Sequence, residues 1–101
     1  MFHLIVILSA KAPADVEPIA EALVRMRPLC LAEPGCVRWE AYQSDAEPGR
    51  FVLVEHWQTQ ELWEAHGELP AIQTIYMPEV FPRVTREVHP SHLLGGAPGN
   101  R

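Results

Sequence analysis

Two stretches of this chain, "LIVIL" at residues 4–8 and "FVLV" at residues 51–54, are apolar at every position. An extended strand sends successive side chains to opposite faces, so each stretch demands cover on both. Leu4, Val6 and Leu8 share one face of the first stretch, and Ile5 and Ile7 the other. In the second, Phe51 and Leu53 oppose Val52 and Val54. A single layer of helices satisfies only half of that requirement.

The rest of the chain supplies the helices. "FHLIVILS" (2–9) predicts a strand, and Asp15 is placed to cap a helix from Val16 to Arg27. Val16, Ile19, Ala20, Leu23 and Met26 give that helix one apolar stripe, with Pro18 in its first turn and Pro28 ending or kinking it. "EPG" (33–35) is a turn, "CVRWEAYQS" (36–44) a second strand, "DAEPG" a hairpin loop and "RFVLVEHW" (50–57) a third strand. Thr59 caps a short helix to about Gly67, Pro70 opens another helical segment to about Met77, and "RVTREVH" (83–89) is the last strand. The order βαββαβ, with a broken second helix, fits an α+β ferredoxin-like sandwich on a four-stranded antiparallel sheet. Helices cover one face; a second copy of the chain is the economical cover for the other. A homodimer packed sheet on sheet follows.

At 101 residues the chain is one domain, here residues 1–92, followed by a Gly- and Pro-rich tail over 93–101 expected to be flexible. A net charge of -5 gives no basic footprint for nucleic acid. The apolar N-terminal run is too short to span a membrane and lacks the flanks of a signal peptide, so a cytoplasmic protein without a membrane partner is expected. Cys30 and Cys36 form no C-x-x-C pair and are expected as reduced, packed thiols.

"FVLVEHWQTQELWEAH" (51–66) concentrates bulk and titratable chemistry. Alternation sends Leu53, Glu55 and Trp57 to one face, while Trp63 and His66 share a helix face at i, i+3. A helix folded back over the strand end brings these groups to one cavity. Each has a plainer role: Trp57 and Trp63 as core, Glu55 as the ion-pair partner of Arg38, His66 at a solvated helix end. Tyr42, Tyr76, Met77 and Phe81 are expected to pack, and Arg25, Arg27, Arg83 and Arg86 to lie at the surface or a dimer rim. His3, His56 and His89 fall near one rim of the sheet, on the face opposite Glu55; unrelated roles are expected for them, the alternative being a cluster of imidazoles that could hold a metal.

"EPGCVRWE" followed by "FVLVEHWQTQELWEAH" resembles the antibiotic biosynthesis monooxygenase family. The resemblance implies a dimeric α+β barrel with a pocket between sheet and helices. It also implies oxidation of quinols or polycyclic phenols by molecular oxygen, with no metal or flavin cofactor. Trp57 matches a tryptophan lining the pocket in the family's aromatic-polyketide oxidisers. Trp63 falls where those enzymes carry a tyrosine, and Leu53 where they carry an asparagine. His66 matches a histidine of the quinol-oxidising members. The haem degraders require an asparagine on the first strand and an axial histidine in the second helical segment; "LIVIL" and "AIQTIYM" hold neither. The implied activity is a cofactor-independent monooxygenase taking a small aromatic substrate. Trp57 and Trp63 would sandwich the ring, and His66 or Glu55 would accept its phenolic proton. The alternative is a non-catalytic aromatic-ligand binding or regulatory module of the same fold.

Overall fold

The computed structural model describes residues 1–95; most of the expected tail, residues 96–101, lies outside them. Four strands, β1 (Phe2–Ala10), β2 (Cys36–Gln43), β3 (Arg50–Trp57) and β4 (Val84–Ser91), form one antiparallel sheet in the order β2-β3-β1-β4. The longer helices α1 (Val16–Leu31), α2 (Gln60–His66) and α3 (Ala71–Val80), with short 3-10 turns at Pro13–Asp15 and Phe81–Arg83, fill the connections. This is the ferredoxin-like α+β arrangement that the strand and helix order requires.

The sheet is two-sided, as its all-apolar central strands demand. Leu4, Val6, Leu8, Phe51, Leu53, Glu55 and Trp57 face the helices and are buried, whereas Ile5, Ile7, Val52 and Val54 on the outer face are half-buried. Within the described chain no helix lies over that outer face: α1 and α3 pack on each other, and α1 on β2. Beside the outer apolar stripe, Arg38 pairs with Glu40, and the Tyr42 hydroxyl donates to the other Glu40 oxygen at 3.0 Å.

Helix α1 runs four residues past the expected end and carries Pro28 inside it. The buried set Ile19, Ala22, Leu23, Met26 and Cys30 shows why. Cys30 continues the i, i+4 stripe beyond the proline, and its burial outweighs the hydrogen bond that Pro28 cannot make. Asp15 occupies the N-cap position without a capping bond; its carboxylate instead accepts from Arg83 Nη1 at 2.8 Å. Arg83, expected at the surface, keeps a side chain 40% exposed there and forms an ion pair with Asp15. Helix α3 reaches Val80, past Met77, and is wound widely, with the Phe81 N–H returning to the Tyr76 carbonyl. That i→i+5 closure is a π-type turn.

A bulge decides what faces Glu55. Cys36 pairs with Trp57, but the next pairs are Arg38 with His56 and Trp39 with Glu55, so β2 carries one extra residue at Val37. An unbroken register would have put Arg38 opposite Glu55. The extra residue turns Arg38 to the outer face and Trp39 inward. The expected Glu55–Arg38 ion pair is thus not formed.

His3 and His56 do meet, edge to face with ring centroids 4.5 Å apart. His89 does not complete a trio: it pairs with Ile5 in the sheet and leans toward Glu87, 3.6 Å away. No helix among the described residues is long and apolar enough to cross a membrane.

Candidate functional site

Helix α2 is short, and its placement is fixed at its N-terminal end and along its side. The Thr59 hydroxyl caps it by accepting the Leu62 N–H at 3.1 Å. The E-P-G-C turn clamps it from the side: the Gly35 carbonyl accepts the Gln58 N–H at 2.8 Å. Gly35 itself has φ +80°, and a Cβ there would lie 2.4 Å from Leu62 Cδ1. Only glycine permits both the backbone conformation and the close approach.

That clamp swings the α2 C-terminus over the inner face of the sheet. Leu53, Glu55, Trp63 and His66 then line one cavity of about 190 Å³, together with Trp39 and Tyr76. Arg86 reaches it from β4, with its guanidinium 5.7 Å from the Tyr76 ring centre. A larger groove of about 370 Å³ lies between α1 and β2, but neither Glu55 nor His66 reaches it.

Trp57 stands behind the cavity wall. It is 0% exposed, and its indole N–H donates to Glu55 Oε1 at 3.0 Å. Its ring lies 4.7 Å from that of His66. The expected sandwich of a substrate between Trp57 and Trp63 is corrected accordingly, because Trp57 holds the carboxylate and imidazole from the rear. Trp63 does line the cavity, and its ring stacks on that of Phe2 with centroids 5.2 Å apart. Leu53 contributes apolar wall.

Glu55 is a carboxyl buried at 4% exposure. Burial raises its pKa from the ordinary 4.5 to about 7; the Trp57 N–H and Arg86 pull it down, and Glu33 pushes it up. Desolvation wins because one neutral N–H replaces the several waters a carboxylate holds in solution. His66, expected at a solvated helix end, is buried, and its Nδ1 meets the Glu33 carboxylate. Burial likewise keeps the Tyr76 phenol protonated.

Four contributors escaped the sequence reading. Glu33 looked like a turn residue, Tyr76 and Met77 like packing and Arg86 like surface, yet Tyr76, Met77 and Arg86 line the cavity. The E-P-G-C turn was the available signal for Glu33, since it precedes the strand that ends beside α2. Two buried polar atoms on the lining residues, Trp39 Nε1 and Tyr76 Oη, have no partner among the described residues. Buried donors of that kind are ordinarily satisfied, so they are available to a ligand oxygen.

The family model for antibiotic biosynthesis monooxygenases matches residues 1–76, and the chain belongs to that family. No curated protein matches it in sequence. A Nitrosomonas europaea structure described as a candidate antibiotic biosynthesis monooxygenase is similar at 29% identity and TM-score 0.84, covering 93% of this chain and 99% of that one. A Shewanella oneidensis protein aligns at 28% identity and TM-score 0.78, over 91% and 90% of the two chains. A Deinococcus radiodurans structure described like the first shares the fold at 19% identity and TM-score 0.75, over 98% and 100%.

The raised Glu55 pKa sets the sign of a stability effect. The folded state binds this proton more tightly than the unfolded chain, so stability from this group is full below about pH 4.5 and falls as pH rises toward 7. The cost at alkaline pH is on the order of 3 kcal/mol. Glu55→Gln removes the ionisation and keeps an oxygen for the Trp57 N–H. Denaturant midpoints should show a larger gain of the variant over wild type at pH 8 than at pH 5. An equal offset at both pH values would contradict the assignment.

Proposed function

We propose that the cavity oxidises a small quinol-like phenol with molecular oxygen, with Glu55 as the general base. The observation that carries this reading is the Glu55 carboxyl itself: buried, oriented by Trp57, facing an aromatic-lined cavity, with its pKa raised to about 7. A base whose pKa matches neutral pH is well suited to taking a phenolic proton. Family membership supports a monooxygenase-like chemistry in general terms.

Size narrows the substrate. A cavity near 190 Å³ modestly exceeds the roughly 150 Å³ that accommodates benzene in an engineered protein core. One or two fused rings suit it better than an extended polycycle. Trp63 offers a face for stacking, and the unpartnered Trp39 and Tyr76 donors offer hydrogen bonds to the ring oxygen. Arg86 supplies positive charge near the developing phenolate.

The reaction needs no further reductant. Glu55 takes the phenolic proton, and the electron-rich phenolate passes one electron to oxygen. The resulting radical pair joins at a hydrogen-bearing ring carbon ortho or para to the phenolate oxygen. The peroxide accepts a proton, and loss of the ring hydrogen with hydroxide expels water and leaves a quinone. One oxygen atom enters the product, the other leaves as water, and all electrons come from the substrate. His66, held by Glu33, helps fix the cavity wall and is the secondary candidate for moving the proton.

We also infer that a second copy covers the outer sheet face, because Ile5, Ile7, Val52 and Val54 have no cover from the chain's own helices. Light scattering at micromolar concentration should give twice the chain mass; a monomer would remove this part of the proposal.

Oxygen uptake with naphthol and naphthohydroquinone as substrates and three-ring anthrone as the oversized comparison, in metal-free buffer, tests the activity. Turnover should rise with pH through about 7 as Glu55 ionises. Glu55→Gln should lower the rate by roughly 10²-fold or more, the low end for a lost general base. His66→Ala should lower it less. Tight binding of these compounds without oxygen uptake would favour the non-catalytic binding module. A Glu55→Gln variant as fast as wild type would remove Glu55 from the chemistry.

A further inference from the structure

Beneath the cavity wall, three side chains of different chemistry converge. Cys30 comes from the last turn of α1 and is 0% exposed. Glu33 comes from the turn that follows, and His66 from the C-terminus of α2; their side chains are 8% and 5% exposed. One ligating atom from each lies within 4.8 Å of the other two. The backbone fixes the group locally, since the Glu33 N–H bonds to the Cys30 carbonyl at 3.1 Å and the Cys36 N–H to that of Glu33 at 3.2 Å.

We propose that Cys30, Glu33 and His66 form a binding site for a divalent transition-metal ion of the zinc class. A thiolate, an imidazole and a carboxylate are the ligand types zinc takes, in the three-ligand arrangement that leaves a fourth position open. Hard cations such as calcium and magnesium require oxygen ligands and find only one residue here to supply them. Tetrahedral bonds of about 2.0–2.3 Å separate ligand atoms by roughly 3.3–3.8 Å, so small side-chain movements close the site.

Charge favours the same occupant. A thiolate and a carboxylate together neutralise a divalent ion in a place too dry for solvent to do so. The ionisable groups around the thiol are Glu33, Glu55, Cys36 and His66. Burial, followed by the Glu33 and Glu55 carboxylates, holds the Cys30 thiol protonated in the metal-free chain. The same negative surroundings attract a cation, which displaces the thiol proton to solvent as it binds. The ion also takes the place between His66 Nδ1 and Glu33 where the two side chains now meet. Because His66 lines the cavity, an ion here would fix the imidazole against the site without taking part in the oxidation described above.

The test is titration of the intact, reduced chain with zinc(II) and with cobalt(II) as the spectroscopic probe, without substrate. Wild type should bind with a thiolate-to-cobalt charge-transfer band and release protons to the buffer. Cys30→Ser should abolish the band and Cys36→Ser should keep it. Glu33→Gln should weaken binding at least about 100-fold, since loss of even an outer-sphere partner costs 10–100-fold. No thiolate band in wild type, or a band that follows Cys36 instead of Cys30, overturns the site. Should Cys30→Ser fail to fold, Glu33→Gln decides, and an affinity equal to wild type refutes the proposal. A cavity that proves inactive leaves these outcomes unchanged, because none is read through turnover.

Discussion

A carboxyl group in a largely apolar sheet face organises this molecule. Glu55 sits between Leu53 and Trp57 on β3, opposite Leu4 of β1 and Trp39 of β2. Burying an ionised carboxylate among such neighbours is costly unless it is paired or gives up its charge. Here one indole N–H is its hydrogen-bond partner, which orients the group without fully stabilising its anion. The neutral and charged forms are thereby brought close in free energy near neutral pH. Trp57 pays for its own burial by the same bond, so the two residues depend on each other.

Everything that shapes the cavity acts around that pair. The bulge at Val37 removes Arg38 from the inner face and installs Trp39, which keeps a strong cation from fixing Glu55 in its ionised form. Gly35 lets the E-P-G-C turn approach Leu62, and α2 is thereby set with His66 against Trp57. Glu33, delivered by the same turn, engages the imidazole from behind. A four-residue motif in sequence thus becomes a clamp on helix position and a partner for a cavity residue.

The sheet, its strand order and its two apolar faces were legible because "LIVIL" and "FVLV" are short runs apolar at every position, which a strand covered on both faces requires. The Thr59 cap, Glu55, Trp63 and His66 were legible for similar reasons: strand alternation and i, i+3 spacing fix which side chains share a face. What stayed hidden depends on events at a distance. The one-residue bulge reverses the faces of β2 at Arg38 and Trp39, and "CVRWEAYQ" carries no glycine or proline to announce it. The run of α1 through Pro28 depends on Cys30 finding core on the far side. Glu33, Tyr76 and Arg86 reach the site from a turn, a helix and the edge strand β4, a meeting that tertiary packing alone defines.

The central claim is that Glu55 changes charge near neutral pH inside the cavity. The most direct measurement is NMR titration of its side-chain carboxyl carbon in the ligand-free protein, assigned by comparison with Glu55→Gln. The account predicts a midpoint near 7, set by burial against the single Trp57 hydrogen bond. A midpoint at the ordinary carboxylate value of about 4.5 would contradict it.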